Sequence, residues 1–383
     1  MPNRVGEILH GALRTLRREG FWRFARRSLL WLSGERRQYR PPDPLVPDSY
    51  DAAALSGEGA LTALDALAAR ATNEALIPAL PPRRTKYRPK ISVLVRTYNR
   101  PHMLRLALTS LAMQEYRNFE VVVVNDAGED VAPLLHRFEA HFPIQYICHP
   151  TRQQRCAASN TALRAMRGDY FVHLDDDDIL YPFHLATFHN ASLTHPAARV
   201  LYGDYNHVLL GQRGSVLIPL QRKIVPHWAF DPDALLWSNF IVIHASFFHR
   251  DIYEVMGLYD ESLPGLADWE YLLRTSRGYP FQPTGRIVCE YRIYDQVSNM
   301  NLRRRIDVVD ALRIIYERYP TENPDLLEKR RILLSEGEAQ VAFLRELEGQ
   351  IGRGEITEKA ANAAMLRRLA GFDGVGDDHL PSA

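Results

Sequence analysis

The sequence predicts an α/β fold in which a mostly parallel sheet carries helices on both faces, with helical extensions before and after it. Between residues 89 and 180, short apolar runs rich in Val and Ile alternate with stretches of helical periodicity. That alternation is typical of parallel strands connected by helices. The 383 residues are 46% hydrophobic and 24% charged, which suits one large core with appendages.

Each predicted strand is a continuous apolar run that ends at polar or turn-forming residues. The four strands are Ile91–Val95, Phe119–Val124, Ile144–Cys148 and Tyr170–Leu174. The helices predicted between them are Met103–Gln114, Val131–Phe142 and Ala157–Arg167. Ligands of such sheets bind at the carboxyl ends of the strands, so the residues that follow each strand are the candidates for a site.

Four regions follow from composition and periodicity. Residues 1–88 form a basic amphipathic helical region with a Pro-rich linker, residues 89–300 the α/β domain, residues 301–370 a helical extension, and residues 371–383 a disordered tail. The helices expected in the extension are 303–319, 324–351 and 356–369. Within residues 1–33, arginines alternate with Leu and Phe at helical spacing, which indicates a helix on an anionic membrane surface or one packed on the protein's own core.

Charge and cysteine usage narrow the class of protein. A net charge of +1 argues against nucleic acid as a partner. The three cysteines, Cys148, Cys156 and Cys289, have no ligand-like spacing and suit a reducing cytosol. Neither an apolar run long enough to span a bilayer nor a signal peptide is recognisable. We therefore expect a cytoplasmic protein, with a peripheral location on the inner face of the cell membrane if residues 1–33 bind lipid.

An acidic run, Asp175–Asp178, directly follows the fourth strand. Two like charges roughly 4 Å apart repel by about 4 kcal/mol at an effective dielectric constant near 20, so either the run is a solvated loop or a positive group lies beside it. If the chain is still extended there, Asp175 and Asp177 lie on one side. Two such carboxylates suit a hard cation, Mg²⁺ or Mn²⁺.

These motifs together resemble those of a known enzyme family. The motifs, in chain order, are ISVLVRTYNRP at 91–101, VND at 124–126, ASNTA at 158–162 and LDDDD at 174–178. From about Pro89 to Asn299 the chain resembles the inverting family 2 glycosyltransferases of the GT-A fold, which use nucleotide sugars. The resemblance implies a Rossmann-like sheet of mixed strand direction.

The resemblance also implies roles for individual residues. The metal is expected on Asp177, helped by Asp175, and the nucleobase on Asp126. The implied donor nucleotide-binding residues are Thr97, Asn99, Arg100, Asp126, Asn160, Asp175 and Asp176.

The second half of the chain supplies the candidate catalytic base. Residues 266–274, LADWEYLLR, resemble the acidic motif at which a family 2 aspartate serves as general base, and the match places that role on Asp268. An ionised carboxylate can take the proton of an acceptor hydroxyl. The alternative is that Asp268 caps the helix Trp269–Arg274, a position where Asp is favoured.

The sequence departs from the family pattern at three places. Ala267 stands where a glutamate often precedes the base, Gln154 where a glycine is common, and Tyr294 where a histidine can join the metal site. The resemblance therefore implies a metal held by carboxylates, phosphates and water.

Together these features predict a metal-dependent inverting glycosyltransferase. It would move a sugar from a nucleotide diphosphate sugar, a UDP- or dTDP-sugar on family grounds, to a glycan or lipid-linked acceptor in bacterial surface polysaccharide synthesis. Two alternatives remain: a nucleotidyltransferase of similar layered fold, although Arg96–Arg100 lacks a glycine-rich phosphate loop, and a non-catalytic carbohydrate-binding or scaffold protein.

Overall fold

A computed structural model of the protein describes residues 91–213, 216–225, 230–294, 302–357, 360–361 and 364. These residues fall into two compact units. One contains the described residues up to 293 except 211–213, and the other contains 211–213 and the described residues from 294 onward. The predictions made for residues 1–88 and 371–383, and for most of the helix at 356–369, lie outside the described residues.

The described residues contain nine strands. They are β1 (Ile91–Thr97), β2 (Phe119–Asn125), β3 (Ile144–Cys148), β4 (Tyr170–Asp175), β5 (Ile179–Leu180), β6 (Val200–Arg213), β7 (Val216–Val225), β8 (Ser246–His249) and β9 (Phe281–Tyr294). The helices are α1 (Pro101–Ala112), α2 (Ala132–His136), α3 (Gln154–Ala165), α4 (His184–Thr194), α5 (Pro232–Leu235), α6 (Arg250–Met256), α7 (Ala267–Ser276), α8 (Leu302–Arg318) and α9 (Pro324–Gly352), with a short 3₁₀ helix at Ile243–Ala245.

The strands form one mixed sheet in the order β3-β2-β1-β4-β8-β6-β9-β5, with β7 paired to β6. The β3-β2, β2-β1 and β1-β4 pairings are parallel, whereas β4-β8, β8-β6 and β5-β9 are antiparallel. The predicted α/β class, with a mixed sheet and a helical extension, is confirmed. The four strands predicted from apolar runs are the parallel ones.

Burial explains why the apolar runs of β1 and β2 become inner strands of the sheet. Val121, Val122, Val123 and Val124 of β2 are each 0% exposed, so both faces of the strand are covered and the run shows no polar alternation. In β1, Ser92 is also buried, and its hydroxyl donates to Glu120 (2.7 Å) and accepts from the Gly168 amide (2.8 Å). A Cβ on Gly168 would lie 2.6 Å from the Ser92 nitrogen, so the close approach that leads into β4 requires glycine.

The helix predicted over Val131–Phe142 is wrong in length. The α-helix stops at His136, and the chain continues in tighter turns in which the Phe138 amide donates to the Leu135 carbonyl and the His141 amide to the Phe138 carbonyl. Phe138 and Phe142 are both buried, with ring centroids 6.1 Å apart. The two buried rings therefore lie on tighter turns and not on a continued α-helix.

The second unit contains α8 and α9, which agree with the helices predicted near 303–319 and 324–351. Asn323 caps α9, because its side chain accepts from the Asp325 and Leu326 amides, and Pro324 occupies the first turn. The buried Arg330 of α9 donates to the Tyr319 carbonyl at 2.7 Å and so ties the end of α8 to α9.

Candidate active site

The carboxyl ends of β1, β2 and β4 meet at one edge of the sheet. In the parallel register, Thr97 pairs with Asn125 and Arg96 pairs with Asp175. The turn after β1, Asp126 after β2 and the acidic run after β4 therefore lie side by side.

The acidic run leaves the strand earlier than the alternation argument assumes. β4 ends at Asp175, and residues 176 and 177 form a turn in which the Asp178 amide donates to the Asp175 carbonyl at 3.1 Å. This turn brings Asp178 back toward Asp175. One carboxylate oxygen from each of Asp175, Asp177 and Asp178 lies within 4.8 Å of the others. The turn, rather than extended-chain alternation, thus brings Asp175 and Asp177 together and adds Asp178.

Two arginines, Arg96 near the end of β1 and Arg100 in the turn after it, pair with this acidic run. Arg100 Nη1 lies 2.7 Å from Asp177 Oδ2, and Arg100 Nη2 lies 2.7 Å from Asp176 Oδ1. Arg96 Nη2 donates to Asp175 Oδ2 at 2.8 Å, and Arg96 Nη1 donates to Ser159 Oγ at 3.1 Å. The repulsion expected from the sequence is therefore offset in part by groups of the chain itself.

Burial and neighbouring charges shift the pKa values of the carboxyl groups in the run in different directions. Burial raises the pKa of Asp175, but the Arg96 guanidinium more than offsets this and brings it to about 2. Asp176 is 1% exposed, and burial raises its pKa despite Arg100 and a hydrogen bond from Thr97 Oγ1 at 2.7 Å. Burial, followed by repulsion from Asp177 and Asp175, raises the pKa of Asp178.

The arrangement fits a divalent metal ion. Three carboxylate oxygens at this spacing are the hard ligands that Mg²⁺ and Mn²⁺ prefer. Asp178 is itself oriented, since Oδ1 accepts from the Arg292 amide at 2.7 Å and Oδ2 lies 3.3 Å from His244 Nδ1. The acidic cluster is thus consistent with divalent metal use and does not by itself select a metal.

Asp126 is held by the loop that leads into α3. Its carboxylate accepts from the Gln153 amide (2.7 Å) and the Gln154 amide (2.8 Å), and His149 Nδ1 lies 2.9 Å from Oδ1. Gln154 has φ +78°, a left-handed conformation that glycine adopts without strain. This accounts physically for the family's glycine at a position that carries Gln here.

Three other predicted donor-site residues have different surroundings. Thr97 joins the acidic run through Asp176, as described. Asn99 also has a left-handed backbone, φ +52°. Its Oδ1 accepts from the amide of Glu129, which lies in the same loop after β2 as Asp126, at 2.8 Å. Asn160 is not directed at the acidic run. Its amide instead bonds to the Tyr259 backbone at both N (2.8 Å) and O (3.0 Å) and to Glu261 Oε1 (2.7 Å).

Asp268 lies in the first turn of α7, and it is not the residue at the N-cap. The helix begins at Ala267, two residues before the predicted start at Trp269, and the N-cap is Leu266 with φ +55° and no side-chain hydrogen bond. Asp268 is half-buried. Burial raises its pKa, and attraction to the Arg96 guanidinium is the largest opposing effect. The capping alternative is therefore wrong, and a carboxylate in the first turn is stabilised by the helix dipole.

Sequence reasoning missed Arg96 and Asp178 as members of this site. Arg96 had a signal, since it is a charged residue inside an apolar strand, directly before the β1 turn. Asp178 had no sequence signal beyond membership of the run, because strand alternation places its side chain on the opposite side from that of Asp177. Only the turn brings the two carboxylates to the same side.

The chain is similar in sequence and in fold to several known proteins. Residues 92–206 match the family described as glycosyl transferase family 2. The uncharacterized glycosyltransferase YwdF of Bacillus subtilis is 28% identical over 205 residues, 54% of this chain and 74% of YwdF. An uncharacterized glycosyltransferase of Rickettsia felis is 25% identical over 234 residues, 56% of this chain and 37% of its own length. S. aureus TarS in complex with UDP-GlcNAc aligns with a TM-score of 0.47 and 17% identity, over 63% of this chain and 70% of that one.

The family 2 match and the glycosyltransferase relatives indicate an enzyme of the glycosyltransferase class. Residues 92–206 match the glycosyl transferase family 2 domain. In the part of the chain that the structure describes, no helix combines the length and apolar character needed to cross a membrane.

Proposed function

We propose that the protein is a metal-dependent, inverting glycosyltransferase that moves a sugar from a nucleoside diphosphate sugar to a hydroxyl group of a glycan or lipid-linked acceptor. The observation that carries the proposal is the carboxylate cluster of Asp175, Asp177 and Asp178 at the edge where β1, β2 and β4 end. Asp268 belongs to the same surroundings, because the charges of Arg96 and Asp175 act on its pKa.

The proposed reaction is a single displacement. Asp268 accepts the proton of the acceptor hydroxyl while that oxygen bonds to the anomeric carbon. The bond from the anomeric carbon to the donor phosphate breaks, and its electron pair leaves on the phosphate oxygen. Asp177, with Asp175 and Asp178, would hold Mg²⁺ or Mn²⁺, which supplies Lewis-acid stabilisation of the diphosphate leaving group. Attack from the opposite face inverts the anomeric centre and needs no enzyme nucleophile.

The donor nucleotide is assigned to the turn after β1 and to Asp126. The hydrogen bonds from the Gln153 and Gln154 amides and from His149 fix the Asp126 carboxylate in one orientation, which supports its proposed contact with the nucleobase. Thr97, Asn99 and Arg100 border the same edge. On family grounds the donor is a UDP- or dTDP-sugar.

The proposed setting is bacterial surface polysaccharide synthesis on the cytoplasmic side of the membrane. Ten arginines and three glutamates in residues 1–40 favour docking on anionic lipid, at about 1 kcal/mol per basic residue near the surface. Liposome sedimentation of the full chain and of a form beginning at Pro42 tests this location. Equal partitioning of the two forms would reject it.

A nucleotide-sugar screen tests the chemistry. The purified protein is incubated with UDP-, dTDP- and GDP-sugars in Mg²⁺ or Mn²⁺, and release of the nucleoside diphosphate is measured without acceptor. We expect one donor to be hydrolysed, and excess chelator to stop the release. Asp177→Asn should abolish release and weaken binding of the nucleoside diphosphate without loss of fold.

Glu115→Gln is the matched control, because Glu115 is an exposed carboxylate that lies outside the acidic cluster. It should behave like the wild type. Full activity of Asp177→Asn, or full activity in excess chelator, would contradict the metal-dependent mechanism.

A further inference from the structure

The acidic run has counter-ions within its own chain, and two arginines provide them in different ways. The guanidinium of Arg100 bridges two neighbouring carboxylates, with Nη2 2.7 Å from Asp176 Oδ1 and Nη1 2.7 Å from Asp177 Oδ2. The guanidinium of Arg96 pairs with Asp175 and also donates to Ser159 on α3. Asp177, the residue proposed to hold the metal, is thus paired with Arg100.

The two arginines differ in how firmly they are held. Arg96 lies within β1, and its Ser159 contact anchors it to a helix. Arg100 lies after the end of β1, at the N-cap of α1, and its side chain is 36% exposed against 27% for Arg96. A long side chain with an exposed part can move away from its partners without disturbing the core, so Arg100 is the one that can be displaced.

A divalent cation and Arg100 would compete for the Asp177 carboxylate. Carboxylate oxygens bind Mg²⁺ at about 2.0–2.1 Å, and Arg100 Nη1 already lies 2.7 Å from Asp177 Oδ2. On the same oxygen, the cation and the guanidinium nitrogen would be at most about 4.8 Å apart, the sum of those two distances. Both are positive, so each weakens the binding of the other.

We propose that Arg100 is a displaceable internal counter-ion of the acidic run, which a divalent cation must replace at Asp177. This inference rests on the proposed metal site, and it adds that Arg100 competes with the cation for Asp177. Arg100 holds Asp176 and Asp177 together in the nucleotide-free protein and lowers the affinity of that state for metal. A diphosphate that arrives with the metal offers the released guanidinium a new anionic partner, so metal and diphosphate bind cooperatively.

Two alternative roles of Arg100 predict opposite changes in metal affinity when Arg100 is removed, so the inference can be tested. If Arg100 competes with the cation, Arg100→Gln tightens metal binding to the nucleotide-free protein. If Arg100 only arranges the carboxylates for the metal, the same change weakens metal binding. Arg100→Lys keeps one positive charge but cannot bridge two carboxylates as a planar guanidinium does, so under competition its affinity should fall between those of wild type and Arg100→Gln.

The experiment measures Mn²⁺ binding by electron paramagnetic resonance, on metal-stripped full-length protein at fixed salt, without and with UDP as the diphosphate probe. We expect Arg100→Gln to lower the Kd for Mn²⁺ alone by roughly ten- to a hundredfold, the worth of a charge-assisted hydrogen bond. The factor by which UDP tightens Mn²⁺ binding should shrink in that variant. Arg164→Gln removes one exposed positive charge from α3 and is the matched control, expected to change the Kd less than twofold.

The outcomes separate this inference from the metal site on which it rests. Equal or weaker Mn²⁺ binding by Arg100→Gln, with measurable binding by the wild type, overturns the competitor role and leaves the proposed function standing. Mn²⁺ binding that is absent from the wild type with and without UDP, and from both Arg100 variants, overturns the metal site as well. Circular dichroism on each preparation verifies folding, and the Arg100→Lys result carries the test if Arg100→Gln does not fold.

Discussion

Asn160 offers the clearest test of whether a residue of the family's motif contacts the donor or supports the fold. It is 1% exposed on α3, and its amide makes three hydrogen bonds to the segment before α7: from the Tyr259 amide (2.8 Å), to the Tyr259 carbonyl (3.0 Å) and to Glu261 Oε1 (2.7 Å). Tyr259 is 6% exposed. Asn160→Ala would therefore leave backbone groups buried and unpaired.

The magnitude follows from these contacts. Three hydrogen bonds at a net value of about 1 kcal/mol each suggest a loss of about 3 kcal/mol in the free energy of unfolding. For a domain of 150–250 residues, a loss of 1 kcal/mol lowers Tm by roughly 2–4 °C. The Tm of Asn160→Ala should therefore fall by roughly 6–12 °C.

The assay is thermal unfolding followed by circular dichroism without nucleotide or metal, beside calorimetric binding of UDP. Asn190→Ala is the control, since Asn190 is an exposed asparagine on α4, and its Tm should stay near that of the wild type. A drop of less than about 2 °C for Asn160→Ala, together with a large loss of UDP affinity, would refute the structural role. It would return Asn160 to the donor site.

Two further predictions concern catalysis. Asp268→Asn keeps the shape of the side chain but cannot accept a proton, so transfer should fall by about 10² to 10⁴ with donor affinity nearly unchanged; unaltered turnover would reject Asp268 as the base. Arg96→Met removes the main attraction that lowers the pKa of Asp268 against burial, so the pKa should rise. Because the base works ionised, the acid limb of the kcat/KM profile of Arg96→Met should then move to higher pH. Arg96→Lys keeps the positive charge and should hold this limb closer to the wild-type position. A limb that stays in place in Arg96→Met would show that Arg96 acts on Asp175 alone.

Local sequence was enough to predict the parallel strands and the edge at which the site forms. The strands β1 to β4 are mainly apolar runs of 5 to 7 residues, and β1, β2 and β4 are largely buried whereas β3 is half-buried. The carboxyl ends of parallel strands share an edge whatever the loops do, so the placement of Asp126 and Asp175 follows from the strands.

Helix limits were less predictable, because they depend on what the neighbouring residues pack against. The helix α2 ends at His136, and the buried Phe138 and Phe142 lie in the tighter turns that follow it. With Leu266 at the N-cap in a left-handed conformation, α7 begins at Ala267, two residues before the start that a cap at Asp268 predicts, so Asp268 lies within the first turn. Hydrophobic periodicity and capping preferences depend on local sequence, so they predict neither the early end of α2 nor the early start of α7.

By itself the sequence determined the α/β class, the strand-end edge and the run of four aspartates placed there, because these depend on apolar runs and on the order of residues along the chain. Only the tertiary structure decided which groups face those aspartates. Arg96 and Arg100 lie 79 and 77 positions before their partners Asp175 and Asp177, and Asn160 lies 99 positions before Tyr259. Such contacts depend on the register of β1 against β4 and on the turn after Asp175, and ion pairs and hydrogen bonds form only where the folded chain brings their atoms within about 3 Å.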